Sequence, residues 1–209
     1  MQLTSSSFTH GGAIPGEYAF AVPHPEQRIQ LSSNRNPHLA WRDAPAGTRS
    51  FVLVCHDPDV PSRGDDVNKE GRTVPATLPR VDFFHWLLVD IPATVTSLAA
   101  GAHGSGVTPR GKPGPDAGNG MRHGVNDYTG WFAGDKDMAG DYHGYDGPCP
   151  PWNDEILHHY VFTLYALDVE KCPVSGKFGG ADVLKAIDGH VLAKAEVMGT
   201  YALNPAVRG

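Results

Sequence analysis

The chain has 209 residues and a net charge of −6 with its histidines neutral, and its 17 Lys and Arg are scattered rather than clustered. That balance is not the basic footprint of a nucleic-acid or anionic-membrane binder, and no apolar run approaches the length of a membrane-spanning helix. Cys55, Cys149 and Cys172 are too few and too far apart for a disulfide framework, and the opening MQLTSSSFTHGG has neither the basic nor the apolar region of a signal peptide, so the cytoplasm is the expected compartment. A chain of this length is expected to form a single domain over 1–209 with a proper core.

In chain order, residues 1–50 read as short strands and loops, with FTHGGAIPGEYAF as turn chemistry and Trp41 as a core or rim aromatic. SFVLVCHDPDVP is a strand, with Phe51, Leu53 and Cys55 on one face, Val52 and Val54 on the other, and Asp57-Pro58-Asp59 ending the ladder. Residues 62–82 are polar, with Gly64, Gly71, Pro75 and Pro79, and predict a long surface excursion without regular structure. FFHWLLVDIPA is a second apolar strand, and strict alternation places His85, Leu87, Val89 and Ile91 on one face. From Ala100 to Asp146 the chain is glycine-rich, and Tyr128, Trp131, Phe132, Tyr142 and Tyr145 predict a packed rather than a floppy loop.

GYDGPCPPWNDEILHHYVFTLYALD then passes from a proline-rich loop into a central buried strand. On it His158, Tyr160, Phe162 and Leu164 point one way, and His159, Val161, Thr163 and Tyr165 the other. Two helical patterns follow, GADVLKAIDG and DGHVLAKAEVMG, the second with Gly199 as its stop, and TYALN reads as a short strand. Strands first and short helices last make the fold mainly β, not alternating βαβ.

Three strand ends offer polar groups: Asp57 and Asp59, His85, and His158 with Tyr160. Each has a bland reading. The acids are turn formers, His85 is a satisfied core histidine, and His158 and Tyr160 satisfy each other. No glycine run fits a phosphate-cradling loop, and Ser105 in HGSG lacks the G-x-S-x-G elbow of hydrolases.

Taken together, NPHLAWRDAPAGTRSFVLVCHDPDVPS, FFHWLLVDIPA, the GYDGPCPPWNDEILHHYVFTLYALD stretch and AEVMGTYAL resemble the phosphatidylethanolamine-binding protein (PEBP) family, in particular its bacterial Raf-kinase-inhibitor-like branch. The D-P-D-x-P, H-W and G-P-x-P-P…H-x-Y elements occur in family order across roughly the whole chain. The resemblance implies a PEBP-like antiparallel β-sandwich with short C-terminal helices and a small anion pocket at one end. Such a pocket takes phosphate, phosphate-bearing head groups or stand-in anions such as acetate or cacodylate. Asp57 and Asp59 match the D-P-D acids, His85 the H-W histidine, and His158 and Tyr160 the H-x-Y pair. Gly147, Cys149 and Pro151 lie in the rim that lends backbone amides to the anion. His159 stands where the family usually has Arg, on the face opposite His158, which suits packing or an ion pair rather than a ligand contact. The gap between Asp59 and His85 is longer than the family's usual spacing.

The function so implied is binding of a small phosphorylated ligand or other small anion, in a regulatory or protein-inhibitory setting that leaves room for a protein partner and a homodimer. No cofactor, resident metal or catalytic residue is assigned. The alternative is a metal-independent or metal-assisted phosphoester or ester hydrolase using the Asp/His pocket, with Asp57, Asp59, His85 and His158 as a conceivable metal set. In the binding reading, donors on His, Tyr and backbone hold the anion, and affinity falls as pH rises through a histidine pKa near ~6.5. The excursion from Ser62 to Asp82 and part of the loop from Gly124 to Tyr145 are expected to form an ordered rim over that pocket.

Overall fold

The structure, a computed structural model, describes residues 1–208. A five-stranded sheet is built from β5 (Ser50–Pro61), β6 (Arg80–Pro92), β8 (Arg122–His123), β9 (His158–Leu167) and β10 (Val191–Tyr201), in the order β10-β9-β5-β6-β8. A smaller sheet of β1 (Gln2–Thr4), β4 (Leu39–Arg42) and β7 (Ser97–Leu98) covers one face, and β2 (Ala21–His24) with β3 (Arg28–Leu31) makes a separate hairpin. Every pairing between these strands is antiparallel. Two short α-helices, α1 (Tyr128–Trp131) and α2 (Gly180–Ile187), and two 3-10 turns at Gly16–Tyr18 and Pro205–Val207 complete the regular structure among the described residues. The fold is mostly β, as the sequence pattern predicts.

The central strand is buried on both faces because it is covered twice. Phe51, Leu53 and Cys55 of β5 join Phe162 and Leu164 of β9 and Leu3, Leu39 and Trp41 of the small sheet in the main core. Val52 and Val54 face the other way, onto Phe178 and onto Val183 and Ile187 of α2. A strand covered on both sides has no use for polar alternation, which explains its continuous apolar run.

Two expectations fail here. The alternation assumed for β6 is broken by bulges, so Leu87 and Val89 face the α2 side while Trp86, Leu88 and Ile91 face the main core. Cys55 opposes Trp86 and His56 opposes Phe84, leaving His85 as an extra residue. Likewise Phe51 opposes Ile91 and Leu53 opposes Leu88, with Asp90 in the left-handed region at φ 63°. Each bulge inserts a residue and re-aims its neighbours.

The second C-terminal helix is instead β10, and TYALN begins inside it. Val191, Leu192, Ala195 and Met198 do fall at helical spacing, but Ala193, Ala195, Val197 and Tyr201 also fall at a spacing of two. Pairing with β9 along Tyr201↔His158 through Ala193↔Ala166 turns this second set toward the core. Burial against an existing sheet overrides the alanine-rich helical propensity. Gly199 is therefore no helix stop. A Cβ there would lie 2.5 Å from Ile14 Cγ1, where residues 11–14 lie along the edge of β10. Gly199→Val is expected to destabilise the fold by about 1–3 kcal/mol through overpacking, read as a shift in urea midpoint at constant slope.

The loops are ordered by polar pins. Asn153 in the proline-rich segment accepts from Asn68 N–H at 3.0 Å and donates to the carbonyls of Asp66 and Arg72, holding the 62–79 excursion against the 147–157 segment. Residues 80–82, expected in that excursion, extend β6. The glycine-rich loop is held by Tyr128, Tyr142 and Tyr145, all buried, and by Asp146, which is fully buried. Asp146 accepts from Asn34 and Asn126, both at 2.7 Å, and pairs with Lys112 at 2.8 Å.

Candidate functional site

At the end of the sheet where β5 gives way to its exit, a cavity of about 270 Å³ opens between the two long loops. Its wall includes Asp57, His85, Cys149, Pro151, His158 and Tyr160, drawn from β5, β6, β9 and the proline-rich loop. Asp59 and Gly147 lie off that wall. Residues 62–64 and Val67 of the first excursion and Trp131 of the second loop contribute its outer part.

His158 sits fully buried between two carboxylates. Its Nδ1 donates to Asp57 Oδ2 at 2.7 Å and its Nε2 to Asp154 Oδ2 at 3.2 Å. Burial alone would lower its pKa, but the bonds to Asp154 and Asp57, and their charges, outweigh it and raise the ring to about 9. The ring is thus an imidazolium at neutral pH, with both N–H groups engaged. Asp154 is in turn held by Arg80, Nη1 to Oδ2 at 2.6 Å and Nη2 to Oδ1 at 3.0 Å. Two carboxylates and two cations make a clamp with no net charge. Burial works to raise the Asp154 pKa, yet His158 and Arg80 hold it below the usual carboxylate range.

His85 behaves differently. Its Nδ1 donates to the Asp146 backbone carbonyl at 2.7 Å, which fixes the proton on that nitrogen, since a carbonyl only accepts. Burial lowers its pKa, against the raising effect of Asp57 and Asp146, so the ring is neutral. Nε2 is then a lone pair without a partner among the described residues. Aromatic neighbours set the ring plane: Phe83, Tyr160 and Tyr128 lie with centroids 4.9, 5.1 and 5.6 Å away.

Two donors remain in the wall. The Tyr160 hydroxyl is buried and has no partner in good hydrogen-bond geometry, although the Asp57 carboxylate lies close enough to attract it. Burial first, then the Asp57 charge and that attraction, push its pKa well up. The other buried side-chain atoms without partners among the described residues, the indole nitrogens of Trp41 and Trp86, belong to side chains off the cavity. Of the rim segment 147–151, three residues are prolines without N–H, and the Gly147 N–H donates to Asn34 Oδ1 at 2.8 Å. Only the Cys149 N–H is left without a partner among the described residues. Gly147 serves close packing instead: a Cβ there would meet the Tyr18 carbonyl at 2.1 Å. Burial pushes the Cys149 thiol up to about 12, so it is no nucleophile at neutral pH.

Asp59 turns away from the cavity and accepts from the His159 backbone N–H at 2.9 Å and from its Nδ1 at 2.8 Å, a hydrogen-bonded pair on the outer face. The set Asp57, Asp59, His85 and His158 therefore forms no single donor group, and no cluster of three or more His, Cys, Asp or Glu among the described residues is placed to hold a metal ion. Sequence reasoning passed over Asp154, Arg80 and Asp146. Asp154 carried a weak signal, as an acid four residues before His158 in the span between the prolines and the strand. Asp146 is an acid alone among glycines, tyrosines and prolines.

The family profile described as phosphatidylethanolamine-binding protein matches residues 4–202. The UPF0098 protein YbhB of Escherichia coli is 30% identical over 202 residues, covering 97% of this chain and 100% of that one. A UPF0098 protein of Chlamydia trachomatis is 32% identical over 201 residues, covering 96% and 98%. Among solved structures, E. coli YbcL, titled a new member of the mammalian PEBP family, superposes with a TM-score of 0.68 at 29% identity, covering 96% of this chain and 97% of that one. The putative PEBP homologue CT736 of C. trachomatis gives 0.62, also at 29%, with 96% and 95% covered.

Proposed function

This chain belongs to the phosphatidylethanolamine-binding protein family, and on that premise we propose that it binds a small anion, a phosphate or phosphate-bearing group, at the floor of the cavity. The observation that supports this most is the set of unpartnered polar groups around one concavity: the Tyr160 hydroxyl, the Cys149 N–H and His85 Nε2. Buried polar groups are almost always satisfied, and an unsatisfied one costs about 1–3 kcal/mol. A ligand that accepts from Tyr160 and Cys149 and donates to, or takes a proton with, His85 satisfies all three. The clamp holds Asp57 against His158 rather than leaving a bare carboxylate beside the anion. We also propose a regulatory or protein-inhibitory role in the cytoplasm, a reducing compartment where three free thiols are at home.

His85→Ala and Tyr160→Phe are each expected to weaken inorganic phosphate binding about tenfold or more, the worth of a hydrogen bond to a charged acceptor, by calorimetric titration. Affinity should rise as pH falls, because burial holds His85 neutral in the empty site and a bound anion favours its protonation. Affinity unchanged in both variants and flat with pH would move the anion elsewhere. A hydrolase would have to take its base from His85 Nε2, since both His158 nitrogens are engaged.

A further inference from the structure

The outer wall of the cavity differs in kind from its floor. Val60 and Val67 stand on the β5 side, Phe83 and Tyr128 on the β6 and α1 side, and Pro151 closes the third. Trp131, at the end of α1, is 55% exposed at the mouth although it is the largest side chain of its loop. An exposed indole at the lip of an apolar cavity offers a face for stacking. The volume of about 270 Å³ is several times what one water takes in the liquid, roughly 30 Å³, and near the lower end of ligand pockets. That leaves room beyond a bare ion for one compact body, and none for a diacyl chain pair.

The charges at the mouth point the same way. Arg63 is exposed, and its ion pair with Asp65 is long, 3.7 Å. Asp57 is the only carboxylate on the wall, and it is tied to His158. The acids of the excursion sit elsewhere: Glu70 pairs with Arg28 at 2.8 Å, and Asp65 and Asp66 face a separate crevice behind the excursion. A cationic amine entering this cavity would meet Arg63 and find no free acceptor of opposite charge.

We infer that the occupant is a phosphate monoester with an uncharged aromatic or apolar body, its head at Tyr160, Cys149 N–H and His85 and its body along Phe83, Val67 and Trp131, and that zwitterionic ethanolamine-type monoesters are disfavoured. This rests on the anion-binding reading above and adds the class of body. Binding of phenyl phosphate, phosphoethanolamine and inorganic phosphate is to be compared by calorimetric titration on the full chain. Phenyl phosphate should bind about tenfold tighter than either of the others, the worth of one good aromatic contact, and Trp131→Ala should weaken it several-fold more than it weakens inorganic phosphate. Phosphoethanolamine binding as tightly as phenyl phosphate overturns the inference but leaves the anion site standing, as does a preference that Trp131→Ala leaves intact. Binding of none of the three overturns the anion site and the inference together.

Discussion

Asp57→Ala should destabilise the protein by about 3–5 kcal/mol, the usual loss when one partner of a buried ion pair is removed. His158 has no exposure, and without Asp57 its Nδ1–H would face the cavity with no acceptor. Asp57→Asn keeps the shape but removes the charge, and should lose less. Urea unfolding at pH 7 separates these outcomes from a loss under about 1 kcal/mol, the level of an exposed pair. The same clamp sets a pH dependence. The folded His158 pKa of about 9 lies above the ordinary 6.5, so its contribution is complete below pH 6.5 and lost as pH rises through 9. The pKa difference corresponds to about 3 kcal/mol. Asp154 works in the opposite direction: its pKa is held down, so its contribution is present above the unfolded value of ~3.9 and lost in acid. Wild-type stability should fall on both flanks, and the alkaline fall should shrink in Asp57→Asn.

Much of this was legible in the sequence because a strand's pattern records what covers it. The two apolar faces of β5 were legible, and β9's alternation placed His158 and Tyr160 on one face. The central place read for β9 belongs instead to β5, with β9 beside it. What was not legible depended on partners distant in the chain. No local rule predicts that β6 bulges at His85, because the bulge is defined only against β5. The helical reading of 191–199 failed because alanine and lysine say little about a sheet edge supplied by β9. The role given to His158 changed most. A histidine at a strand mouth reads as a donor for ligand, and only Asp154, brought back by the turn before β9, shows that its second nitrogen is already taken. The acids that looked wrong for an anion pocket thus divide. Asp57 neutralises the imidazolium, and Asp59 leaves the cavity altogether for His159.

Asp146→Ala is the second large effect, and it should reach the ligand as well as the fold. Asp146 is fully buried, and its carboxylate takes the amides of Asn34 and Asn126 and the Lys112 ammonium. Its backbone carbonyl takes His85 Nδ1, and its N–H donates to the His85 carbonyl at 3.1 Å. Removing the carboxylate leaves one N–H of each amide unsatisfied, while the carbonyls of Gly106 and Gly144 keep a bond to each side chain. Lys112 keeps the Tyr145 carbonyl but has no countercharge, where burial already lowers its pKa against the pull of Asp146. The expected loss is about 3–5 kcal/mol, which at about 2–4 °C per kcal/mol for a chain of this size lowers Tm by roughly 6–20 °C. The loop from Ala100 to Asp146 has few aliphatic side chains of its own, so it should open before the sheet does. Hydrogen exchange is then expected to speed up across 103–146 while Val52 to Cys55, in the central strand, stay protected. Inorganic phosphate affinity should drop with the loop, because His85 loses the carbonyl that fixes its tautomer. Fast exchange spread evenly over β5 and the loop would instead mean that Asp146 supports the whole fold and does not position His85 in particular.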